Sequence, residues 1–141
     1  MVTESIEGLT LDKLIKQQHY INLINKVKDV DGAIAHCKEL NINISDLLLV
    51  EQKEKSLIAF VSLQIIMKAL NEDWKPNWND LNELKYWNYF NINNGTFSYD
   101  STDYDNGFMD VPSALFFKSR ELAEYAAKKF IELYKQLYLQ T

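Results

Sequence analysis

His36 and Cys37 stand side by side in this chain, and they are the first place to look for chemistry. A thiol nucleophile needs a base beside it and a group that orients the base. A zinc site needs three or four ligands. The chain holds one cysteine and two histidines, His19 and His36, with no clustered spacing. Cys37 falls on an apolar stripe, so it reads as a core thiol. Asp100, Asp103, Asp105 and Asp110, with Asn106-Gly107 beside them, are the hard oxygen ligands that calcium takes. Their spacing misses an EF-hand loop: from Asp103 the glycine arrives at the fifth position, and no glutamate stands at the twelfth. A solvated acidic turn is the better reading. Arg120, the only arginine, reads as a local partner of Glu121 and Glu124 rather than a phosphate clamp. Glycine-rich phosphate loops, a serine nucleophile elbow and a His-Glu-x-x-His helix are all missing from the sequence. The expectation is a protein with no catalytic residue, no metal and no cofactor.

The aromatic residues carry the stronger signal. Twelve of the 18 lie between Trp74 and Phe117, which singles that stretch out. Trp74, Trp78, Tyr86, Trp87, Tyr89 and Tyr104 are the residues from which an interaction surface would be built. The competing readings are a second core layer between sheet and helices, a protein-contact surface, and a platform for glycans or bases. Residues 74–117 hold two lysines against six acids, a net of −4, which opposes phosphate binding. The basic-Gly-aromatic signature of RNA-binding sheets is missing too.

These residues need elements to hold them. Residues 1–10 read as a polar leader. Leu11–Gln18 suggests a helical turn or two, and Tyr20–Val27 could be helix or strand. Asp29 or Asp31 caps a short helix whose stripe is Val30, Ala33, Ile34, Cys37 and Leu40, ending near Asn41. Ser45 and Asp46 introduce a further apolar run, Leu47–Val50. Lys55–Asn71 is apolar nearly all round and predicts a helix buried on more than one face. Tyr86–Ile92 and Thr96–Tyr99 read as strands joined at Asn94-Gly95, the pair that best suits a type I′ turn. A third strand, Ala114–Lys118, follows an acidic loop over Asp100–Pro112. Ser119 then caps a terminal helix with the core stripe Leu122, Ala126, Phe130, Leu133 and Leu137, which should lie across the sheet.

The whole is an α+β fold: a small antiparallel sheet over about 86–118 packed with a C-terminal helix and an N-terminal helical part. With 141 residues, 47% hydrophobic, 25% charged, four glycines and two prolines, the chain reads as a single domain. Residues 1–72 form its mostly helical part and 73–141 its aromatic-rich hairpin, sheet and terminal helix. The net charge of −5 weakly disfavours nucleic acid. The start lacks a signal-peptide pattern, and Leu57–Leu70 is too short and too polar to span a bilayer. The expected setting is reducing and cytoplasmic, with no membrane contact.

Three pieces of the chain, in order, resemble a family. They are Ile65-Ile66-Met67-Lys68-Ala69-Leu70-Asn71-Glu72-Asp73-Trp74-Lys75-Pro76-Asn77-Trp78, Lys85-Tyr86-Trp87-Asn88-Tyr89-Phe90, and Phe116-Phe117-Lys118-Ser119-Arg120-Glu121-Leu122-Ala123-Glu124-Tyr125-Ala126. They resemble small proteins encoded by phages and prophages of gut Bacteroidetes, over roughly residues 55–141. The resemblance implies a phage origin and carries no functional residue across. It places the protein in the bacterial host cytoplasm or in the virion. The leading expectation is a non-enzymatic accessory protein that binds a phage or host protein, as virion component or host-interaction factor. The alternatives are a nucleic-acid-associated replication or regulatory protein, and a ligand- or glycan-binding module.

Overall fold

The computed structural model describes residues 10–48, 54–107 and 111–140. Among the described residues, six helices and one two-stranded antiparallel sheet make an α+β fold. In chain order they are α1 (Leu11–Lys26), α2 (Val30–Glu39), α3 (Ser45–Leu48), α4 (Lys55–Leu70), β1 (Lys85–Asn93), β2 (Thr96–Asp105), α5 (Arg120–Lys129) and α6 (Ile131–Leu139).

The helical half starts from its caps. Thr10 accepts from the Lys13 amide, and α1 then runs unbroken through the stretch that read as either state. Only Leu23 of α1 is fully buried, while the first two turns expose Leu11, Leu14 and Ile15. Asp29, not Asp31, caps α2 by accepting from the Gly32 amide at 2.7 Å. Ala33 and Cys37 enter the core, but Leu40, placed on the same stripe from sequence, is exposed. Of Leu47–Val50, Leu47 and Leu48 close α3, and Val50 lies outside the described residues, as does the leader up to residue 9. Helix α4 is buried from Ala59 onward on more than one face, packing on α2 and α6. Its first turn departs from expectation, since Leu57 and Ile58 are 46% and 44% exposed.

The hairpin turns at Asn94-Gly95, both at positive φ (52° and 76°), as a type I′ turn requires. Strand β2 runs six residues beyond Tyr99, so Asp100, Asp103 and Asp105 belong to a strand and not to an acidic loop. Asp110 lies outside the described residues. A bulge explains the extension. The register steps from Tyr89↔Ser101 to Phe90↔Tyr99, leaving Asp100 as the extra residue. Phe97 and Tyr99 precede the bulge and Thr102 and Tyr104 follow it, at opposite parity. The extra residue thereby brings all four to one face, opposite Ile92, Phe90, Asn88 and Tyr86.

The third strand over 114–118 does not form. Ser113–Leu115 is a 3-10 turn, and the segment touches β1 through a single antiparallel bridge, Tyr86↔Phe117. Burial is the reason: Leu115, Phe116 and Phe117 are all in the core, which an outer strand alternating in and out would not allow. The terminal helix also divides, at Phe130 (φ −113°, ψ 32°). The break seats the Phe130 ring in the core and lets the two pieces pack differently. Helix α5 lies across both strands, whereas α6 packs mainly on α4. The expectation of a helix across the sheet thus holds chiefly for α5, while α6 reaches the hairpin through Tyr134 and Tyr138.

Candidate functional site

Asn88 ties the sheet to the helix above it. Its buried amide donates to the Ala123 carbonyl at 2.9 Å and accepts from the Thr102 hydroxyl at 2.6 Å. That uses the only proton of Thr102, so the Tyr99 hydroxyl, 2.8 Å away, donates to Thr102 Oγ1. Beyond this neutral network the helix-facing side of the hairpin becomes aromatic. Phe90 stacks on Phe97 with ring centroids 5.1 Å apart and lies 4.6 Å from Tyr134 and 5.7 Å from Tyr138. Burial pushes the Tyr134 hydroxyl well above the usual tyrosine range.

A groove of about 410 Å³ opens where this stack meets the end of α6. The consecutive residues 87–92 of β1 line it, with Phe97, Val111, Tyr138 and Leu139. None of the lining residues is charged. Tyr89, Ile92 and Tyr138 are exposed at its rim, and Trp87 packs under Tyr89 at 4.0 Å between centroids. Trp87 is itself buried, and its indole N–H has no hydrogen-bond partner among the described residues.

The six aromatic residues singled out from sequence therefore separate. Trp87 and Tyr89 line the groove. Tyr86 and Tyr104 sit as a pair further down the hairpin, 6.1 Å apart, with the Arg120 guanidinium 5.4 Å over the Tyr86 ring. Arg120 also donates to the Thr102 carbonyl, so its partners are the sheet rather than Glu121 and Glu124. Trp74 and Trp78 order the chain before β1. The Trp74 indole donates to Glu83, and the Trp78 indole donates to the Ser113 hydroxyl while its ring meets Phe116 edge-on. Phe90, Phe97, Ile92 and Tyr138 were not among the six. Phe90 and Phe97 flank the Asn-Gly turn, and a hairpin brings such residues together, so their pairing was available from sequence; the arrival of Tyr138 was not.

A second constellation was invisible in the sequence because its members are far apart. The Glu72 carboxylate meets His19 Nε2 at 2.6 Å, His36 Nε2 at 3.3 Å and Lys118 Nζ at 3.5 Å. A carboxylate only accepts, so both imidazoles carry a proton on Nε2. His36 is 5% exposed, and its Nδ1 faces the Glu39 carboxylate at 3.5 Å. Burial raises the Glu72 carboxyl, but His19, through its hydrogen bond and charge, together with Lys118 and His36, holds it below the ordinary carboxylate range. Glu72 and Asp73 follow α4 at φ 50° and 68°. Asn71 clamps that left-handed pair by donating to the Phe116 carbonyl and accepting from the Lys118 amide. The corner is an ionic tie between α1, α2, the end of α4 and the start of α5. Cys37 does not join it: its thiol is buried against the Ile65 carbonyl, and burial pushes it up and away from reactivity. Among the described residues no group of three or more His, Cys, Asp and Glu could hold a metal ion.

Lys85 is the remaining surprise, a fully buried ammonium. It donates to the carbonyls of Asp80, Glu83 and Asn106, and lies 5.1 Å over the Trp78 ring. It closes the base of the hairpin. No helix among the described residues is long and apolar enough to cross a membrane. No family model, curated protein or solved structure matches the chain.

Proposed function

We propose that this protein is a non-enzymatic binding protein whose working surface is the aromatic groove between β1 and the end of α6, and that its partner is another protein. One observation carries the reading. An uncharged groove rimmed by exposed Tyr89, Ile92 and Tyr138 sits on a chain in which a quarter of the residues are charged. Large aromatic side chains around a desolvated centre are the usual anchors of protein interfaces. The alternative of nucleic acid fits poorly, because no residue lining the groove is basic and the one lysine of its strand, Lys85, is fully buried. The resemblance of residues 55–141 to phage and prophage proteins supports a phage-encoded accessory role, in the virion or against a host factor.

The test is a paired pull-down from phage-infected and uninfected host lysate with the wild type and Ile92→Asp. A protein retained by the wild type and lost with Ile92→Asp supports the reading. If everything retained is indifferent to that change, or is released by nuclease, the groove is not the working surface.

A further inference from the structure

Phe117 meets the outer edge of β1 at Tyr86, with reciprocal backbone hydrogen bonds of 3.0 and 2.7 Å, in antiparallel sense. The start of a third strand is present there, yet the segment that should continue it, Ser113–Leu115, coils into a 3-10 turn and packs on α4. The edge of β1 beyond Tyr86 is left beside a slot.

The hairpin register says which backbone groups face that slot. A two-residue loop closes on Asn93↔Thr96 as a hydrogen-bonded pair, and Trp87↔Asp103 pairs likewise one residue along from the outward-facing Tyr86. The N–H and C=O groups of Asn88, Phe90 and Ile92 therefore point outward. Among the described residues they make no backbone hydrogen bond on that side. The groove lies along this edge, since a cavity lined by six consecutive residues of one strand must flank it rather than cover one face. The Phe90, Phe97 and Tyr138 rings stack along it, and Trp87, Val111 and Leu139 complete its apolar lining.

Resting on the reading above, we propose that the partner enters as an extended segment that adds to β1 as the missing third strand. Backbone donors and acceptors at alternate residues would hold it, and apolar pockets on both sides would select it. An extended chain presents successive side chains to opposite sides of the groove, and no residue lining it is charged. The segment recognised is thus a short run of consecutive uncharged β-branched or aromatic residues, without proline at the bonding positions.

The probe is a linear twelve-residue peptide selected from a random displayed library on the intact protein, then synthesised with and without N-methyl groups at alternate amides. The expected peptides carry an uncharged apolar run, slow amide exchange at Phe90 and Ile92, and lose binding about tenfold or more on N-methylation of one alternate set but not the other. Competition with Ile92→Lys protein, which has a charge on the exposed edge, should fail. Peptides that depend on Ile92 yet tolerate N-methylation of either set would overturn strand addition and leave the groove a contact surface. Recovery of no peptide that depends on Ile92 would overturn both readings.

Discussion

The two ends of the molecule handle polar and apolar groups in opposite ways. At the Glu72 corner one carboxylate is engaged by His19, His36 and Lys118 and its backbone is clamped through Asn71, while His19, His36 and Glu72 also line a cavity of about 410 Å³. On the hairpin the Asn88 network is neutral and complete, but beyond it Tyr89, Ile92 and Tyr138 are exposed. The first arrangement fits a tie that holds four elements together, and the second fits a surface that waits for another molecule.

Phe130→Ala should test the frame that both ends share, and should have the largest effect. Its ring is buried where α5 gives way to α6, so its loss is expected to cost about 3–5 kcal/mol. A urea midpoint close to wild type would mean that the helix break is not a core feature. Next come two glycines that matter for opposite reasons. A Cβ on Gly32 would lie 2.2 Å from the Lys26 carbonyl oxygen, so Gly32→Ala forces α1 and α2 apart and should cost about 1–3 kcal/mol. A Cβ on Gly95 would meet nothing within 4 Å, yet its φ is +76°. Gly95→Val should therefore cost about 1 kcal/mol or more through the backbone alone. If Gly95→Val matches wild type by thermal melting, the turn is not type I′.

The Glu72 corner has its own signature in pH. Its folded carboxyl is held below the unfolded value of about 4.3, so its contribution is whole above that value and is lost as pH falls through the lower folded one. Chemical denaturation across that acid window should show a shallower decline for Glu72→Gln than for wild type. Parallel curves would mean that the tie is worth nothing. Smallest of all is the tip: Ile92→Ser, at a residue 57% exposed, should shift folding stability by no more than about 0.5 kcal/mol. A large loss there would show that the groove rim is part of the fold and would end the contrast between the two regions.

Much of the frame was legible because local rules decide it. The cap residues Asp29 and Ser119, the Asn-Gly turn and the apolar run of α4 act within a few residues of themselves, and each marks an element that forms. Strand β2 was cut short because Asp100 to Asp105 looks like a loop by composition. The alternation Phe97, Tyr99, then Thr102, Tyr104 contains the parity change of a bulge, and that signal was readable. The third strand was wrong for a physical reason, since three consecutive core residues at 115–117 override the preference for a strand edge.

By itself the sequence determined most of the helical segments and the hairpin turn, and that the second half is aromatic and acidic. Only the tertiary structure decided what those residues do. His19, His36, Glu72 and Lys118 become one ionic corner because α1, α2 and α4 converge, and no spacing rule links positions 19 and 118. Tyr138 reaches Phe90 and Phe97 because the chain breaks at Phe130 and re-aims α6. Local propensity acts over a turn or two of chain, whereas burial is shared among elements that meet only on folding. That sharing buried Trp87 and left Tyr89, two residues along the same strand, at the surface.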